Sequence, residues 1–94
     1  MSTYTRQQLV ELLEIEDTFL VELELEEIVV GESPTESEGS YSEHMLERAR
    51  VAHNLVRELD VNLPGVAIIV RMREEMAEMR HQLAELLGEL KRRG

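Results

Sequence analysis

The sequence predicts a mainly α protein: a small helical head with a two-stranded wing, followed by a long C-terminal coiled-coil dimerisation helix. Three observations lead there. Thr5 and Ser42 stand as helix caps before apolar residues at helical spacing. Ile28-Val29-Val30 and Tyr41 bracket a stretch with nothing to bury, GESPTESEGS at 31–40. From Ile69 onward, Met and Leu recur at sevenfold spacing as far as Leu90. The chain therefore divides into a head, residues 1–61, and a dimerisation helix, residues 62–94.

Thr5 followed three residues later by Gln8 is a capping box, in which hydroxyl and amide satisfy each other's backbone N–H. Leu9, Leu12 and Leu13 then predict a helix over about 6–14. Ile15 lies in a short turn. Glu16 or Asp17 caps a second helix running to about residue 27, with Leu20 and Leu23 on its apolar face. Residues 21–26, VELELE, alternate with the period of a strand, but Glu and Leu are strong helix formers and helix is the better reading. The β-branched run at 28–30, ending at Gly31, predicts a short strand, with Tyr41 beginning a return strand beside it. Ser42 caps a third helix whose stripe is Leu46, Ala49, Ala52, Val56 and Leu59, ending near Asp60.

The stretch VNLPGVAIIV at 61–70 first suggests a turn and a buried strand. Asn62 is a good cap, however, and Pro64 then falls in the first helical turn, where its missing N–H is no loss and its fixed φ fits. Beyond it, Ile69, Met76, Leu83 and Leu90 form one heptad series and Met72, Met79 and Leu86 the other. These seven residues are the predicted homodimer interface, with Glu75 and Arg80 flanking it. Lys91, Arg92 and Arg93 sit at the negative helix end, as the dipole favours. A helix over 63–92 is about 45 Å long, too long for so small a head to cover. The run at 66–70 is apolar nearly all round because it has two surfaces to meet, the head and a partner helix.

Charge narrows the partners. Residues 1–47 hold one basic residue, Arg6, and thirteen acidic ones, whereas 48–94 hold nine basic and seven acidic. An acidic head repels nucleic acid and anionic membrane and attracts a basic protein surface. The chain has no cysteine, so neither disulfides nor thiolate metal sites are expected. No apolar run reaches the length of a membrane span, and MSTYTRQQ does not read as a secretory signal, so a cytoplasmic protein is expected. His44 and His53 are nine apart, too far for one metal-binding helix face. The many carboxylates have no nucleophile or phosphate loop beside them, so no metal, cofactor or enzymatic activity is expected.

The predicted order is helix, helix, strand, loop, strand, helix, long helix. It resembles the winged helix-turn-helix of the MerR superfamily, with Tyr41-Ser42-Glu43 leading into Leu46-Glu47-Arg48 as the start of the third helix. The closer resemblance is to the chaperone modulator CbpM family, carried by residues 58–67, ELDVNLPGVA, the apolar residues after them and the acidic pair Glu74-Glu75. It spans about residues 3–90 and is most specific over 58–76. The resemblance implies binding to the J-domain of a DnaJ-like, CbpA-type co-chaperone, whose basic helix is thereby hidden from a DnaK-type chaperone. Glu22, Glu24, Glu26 and Glu27 are then the candidate docking face for that basic helix.

Relatives often carry Gly in the turn between the first two helices and before the short strand, where this chain has Glu14 and Glu27. Left-handed backbone at a non-glycine residue costs about 1 kcal/mol or more, so differently shaped turns are expected. DNA-binding MerR proteins carry Arg and Tyr in the second helix and Arg in the wing. Here 16–27 and 31–40 contain no Lys or Arg. The alternative reading, a MerR-like transcriptional regulator binding DNA as a dimer, is disfavoured on that ground. A third reading is a dimerisation module whose partner is not a chaperone.

Overall fold

Thr5 sets the start of the first helix as its spacing predicts. The computed structural model describes residues 3–32 and 40–94. A two-residue strand, β1 (Thr3–Tyr4), leads into α1 (Arg6–Leu13). Thr5 Oγ1 accepts from the Gln8 N–H at 3.1 Å, and Gln8 Oε1 accepts from the Thr5 N–H at 2.9 Å. Leu9 and Leu13 turn inward, while Leu12 is exposed.

Both turns that lack glycine are left-handed. Glu14 has φ 54° and Glu27 has φ 57°. At Glu14 the N–H donates to the Glu11 carbonyl and the Ile15 N–H to the Val10 carbonyl. At Glu27 the N–H donates to the Glu24 carbonyl and the Ile28 N–H to the Leu23 carbonyl. Each is the paired closure that usually places glycine at a helix C-terminus. The expectation of differently shaped turns is therefore corrected: the chain keeps the glycine geometry with glutamate in it.

The second helix, α2 (Asp17–Leu25), ends two residues earlier than predicted. Leu20 and Leu23 are fully buried. The strand expected at 28–30 does not form. The Ile28 and Val29 N–H groups both donate to the Leu23 carbonyl, at 2.9 and 3.3 Å, so this stretch folds back to close α2. Burial of Ile28 and Val29 in the core fixes it there.

The sheet is correspondingly different. β2 (Tyr41–Ser42) pairs antiparallel with β1, Thr3 opposite Ser42 and Tyr4 opposite Tyr41. With Ile28 and Val29 turned inward, the extended residues ahead of the Thr5 cap supply the second strand. Of the loop expected over 31–40, residues 33–39 lie outside the described residues; a bond from the Glu32 N–H to the Ser40 carbonyl, 2.7 Å, links its two ends.

Ser42 caps α3 (Glu43–Leu59), its Oγ accepting from the Met45 N–H at 3.2 Å. Leu46, Ala49 and Ala52 are buried as expected, Val56 is half-buried and Leu59 is exposed, so the core-facing stripe fades in the last turns. Asn62 caps α4 (Leu63–Arg93), its Oδ1 accepting from the Gly65 N–H at 2.8 Å with Pro64 in the first turn. A Cβ on Gly65 would lie 2.9 Å from Val61 Cγ1 and 3.1 Å from Asn62 Oδ1. Glycine there lets Val61 and the cap close over the helix start. Val66 and Val70 then join the core, which also holds Leu9, Leu13, Ile15, Leu20, Leu23, Tyr41 and the buried face of α3. No residue of α4 beyond Val70 is buried.

Candidate interaction surfaces

The single basic residue of 1–47 is engaged inside the head. Arg6, on the first turn of α1, directs Nε to Asp17 Oδ1 at 2.8 Å and Nη1 to Glu24 Oε1 at 2.7 Å. The same Nη1 donates to the Tyr41 hydroxyl at 3.1 Å, and that hydroxyl donates to Glu24 Oε2 at 2.9 Å. One guanidinium thus joins both ends of α2 to β2. Burial works against its charge, but the two carboxylates outweigh it and hold the Arg6 pKa above its ordinary value. Burial, with the adjacent Glu24 carboxylate, raises that of Tyr41.

This arrangement divides the four candidate docking glutamates. Glu24 follows Leu20 and Leu23 on the inward side of α2 and is half-buried. Glu22, Glu26 and Glu27 are exposed, with none of them in a salt bridge among the described residues. The outward face of α2 is Thr18, Val21, Glu22 and Leu25. In the sequence the alternating glutamates mask its apolar members. They were nevertheless implied by the choice of helix, which puts Val21 and Leu25 on the side opposite Leu23.

The second surface is the far side of α4. Met72, Met76, Met79, Leu83, Leu86 and Leu90 are each at least 50% exposed. Ile69, the first member of the predicted seam, is half-buried, and Ile68 beside it is exposed. At 3.6 residues per turn, the seam lies roughly 130° around the helix from the face holding Val66 and Val70. The head therefore leaves the seam uncovered. Within the 66–70 run, Val66 and Val70 face the core of the head and Ile68 faces outward.

A second arginine fixes where α4 leaves the head. Arg48 on α3 directs Nε and Nη2 to the two oxygens of Glu74, at 2.8 and 2.5 Å, and Nη1 to the Ile28 carbonyl at 3.1 Å. His44 Nε2 lies 3.0 Å from Glu74 Oε2. The fork from Arg48 outweighs burial and holds the Glu74 carboxyl below its ordinary pKa, while Glu74 raises that of Arg48. The signal for this clasp was in the sequence: Glu74 continues the inward series Val66, Val70 at fourfold spacing. The other histidines are dispersed. His53 packs edge-on to Phe19, centroids 5.8 Å apart, and His81 pairs with Glu85 on α4.

Among the described residues, no cluster of His, Cys, Asp and Glu could hold a metal, and no helix is long and apolar enough to cross a membrane. The arrangement presents two surfaces, one acidic with apolar side chains on α2 and one apolar on α4. The family model described as MerR HTH family regulatory protein matches residues 4–87. The chain belongs to that family. No curated protein matches it at a significant level.

Proposed function

We propose that the protein is a dimeric chaperone modulator of the CbpM type, which binds the J-domain of a DnaJ-like, CbpA-type co-chaperone and blocks its action on a DnaK-type chaperone. The observation that carries this reading is the position of Arg6. A DNA-binding member of the family needs cations on its second helix and wing to displace phosphate counterions. Here residues 16–27 and 31–40 have none, and Arg6 is bound to Asp17 and Glu24. What α2 offers a partner is acid and apolar surface, which suits a basic protein helix. The resemblance over 58–76 supplies the identity of that partner, and competition for the J-domain's basic helix is the mechanism. The exposed seam of α4 supports pairing with a second copy, and nothing in the reading calls for a cofactor.

Titrating the protein into the J-domain of its own organism's DnaJ-like co-chaperone is expected to give micromolar or tighter binding that weakens with salt. The combined variant E22K/E26K/E27K is expected to weaken it about tenfold or more, because like charges then face each other. Glu24 is left out of that variant because its carboxylate holds Arg6. Absence of binding at low salt would sink the proposal.

The family match favours a second reading, a transcriptional regulator that binds DNA as a dimer. It expects a specific shift of pseudopalindromic promoter DNA at low salt, which would overturn the first reading; failure to shift would remove the second.

A further inference from the structure

The outward face of α2 carries two large apolar side chains that the head leaves without cover. Thr18, Val21, Glu22 and Leu25 stand at i, i+3, i+4 and i+7 and so share one face. Val21 is 41% exposed, and Leu25, at 78%, is the most exposed large apolar residue among those described. Glu26 follows Leu25 and is exposed beside it. A single exposed leucine on a protein surface needs no explanation. Two apolar side chains one turn apart, beside Glu22 and Glu26 on a helix without a cation, form a patterned surface.

We infer that this face is the docking site for an amphipathic basic helix, with Val21 and Leu25 packing into its apolar stripe and Glu22 and Glu26 pairing with lysines or arginines alongside. The inference rests on the proposed function, since the occupant it names is the basic helix of the J-domain. It goes further in assigning roles. The apolar pair supplies the anchor, as the centre of an interface usually does. The acids supply steering and salt dependence, as exposed rim charges do. Charge complementarity selects the occupant: a phosphate backbone or an anionic membrane is repelled by Glu22 and Glu26 and offers no apolar stripe to Leu25.

The roles separate in one experiment. The purified J-domain is titrated calorimetrically into the wild-type protein, V21S/L25S, the milder L25A, and E22Q/E26Q, each at two salt concentrations. Circular dichroism checks that each variant is folded. The expected result is a loss of about tenfold to a hundredfold in affinity for V21S/L25S and a smaller loss for L25A, both with the wild-type salt dependence. E22Q/E26Q is expected to lose only a few-fold and to flatten the salt dependence. If the wild-type protein binds and both apolar variants bind equally well, the inference fails and the proposed function stands. If the wild-type protein does not bind, both fail. Loss of self-association in V21S/L25S, read by sedimentation, would give the face to a second copy and also overturn the inference.

Discussion

The head and the long helix are incomplete in opposite ways. The head closes one core that runs from Leu9 to Val70, but it is short of positive charge: Arg6 holds Asp17 and Glu24, and Glu22, Glu26 and Glu27 face solvent. The helix beyond Val70 has balanced charge, with six cations and five acids over 71–94, but it is short of cover, since its Met and Leu seam lies outside. One region asks for a basic partner and the other for an apolar one. On the proposed function, those two needs correspond to two partners, a second copy through the helix and the J-domain through the head. The Arg48–Glu74 clasp lies where the two regions meet.

The strongest way to break the comparison is to make the helix resemble the head. The wild-type protein is expected to sediment at roughly twice its chain mass of 10.9 kDa. Replacing Met76 and Leu83 together by Glu puts carboxylates where apolar side chains should meet, which costs at least about 3 kcal/mol of dimer stability. M76E/L83E is expected to sediment as a monomer and to lose helical signal, because most helical stability in proteins comes from packing of an apolar face. A wild-type protein that stays monomeric at high micromolar concentration would remove the seam from consideration.

What was legible in the sequence was local or periodic. Thr5, Ser42 and Asn62 announce their helices because a cap needs only the right oxygen at the right spacing. The long helix is legible because its heptads repeat. The stretch at 28–30 misleads because its β-branched residues signal strand, whereas the left-handed Glu27 that folds it back carries no glycine to signal the turn. The true partner of Tyr41 is two residues long and has no apolar alternation, so nothing local marks it. The same limit applies to the candidate site. The acidity of α2 is plain from composition, but the inward turn of Glu24 follows only from its place one turn after Leu20 and the arrival of Arg6 from another helix.

A smaller effect sharpens the comparison at its boundary. The folded chain holds the Glu74 carboxyl below its ordinary pKa through Arg48, so in acid the unfolded chain binds a proton that the folded chain refuses. The clasp's contribution is therefore complete above the ordinary value of 4.5 and is lost as the pH falls through the lower folded value. Solvent screening of these half-buried groups limits it to about 1 kcal/mol. Both E74Q and R48M are expected to melt several degrees below wild type at pH 7; in acid E74Q converges with wild type, while R48M keeps the deficit of its lost bond to the Ile28 carbonyl. Thermal melts over a pH series read this directly; an unchanged difference at every pH would mean that packing, and not charge, holds the clasp.

The smallest expected effect concerns the acidic residues that end the head's helices. Glu14, Glu27 and Asp60 all have left-handed backbone at a helix C-terminus. Each combines strain with a negative charge near carbonyls that already form the negative end of the dipole. Glycine relieves the strain, about 1–2 kcal/mol for a residue with a Cβ, and gives back roughly 0.5–1 kcal/mol through the freer unfolded chain. E14G and E27G are each expected to stabilise by about 0.5–1 kcal/mol in urea unfolding, and D60G by less, because Asp tolerates this conformation better. Part of the gain is electrostatic and should shrink with added salt. E27G also removes one acid beside the proposed docking face and is expected to cost a few-fold in J-domain affinity, while E14G costs none. Stabilisation by E14G with unchanged binding, beside stabilisation by E27G with weakened binding, would show that the negative charge retained at Glu27 serves the partner and not the fold.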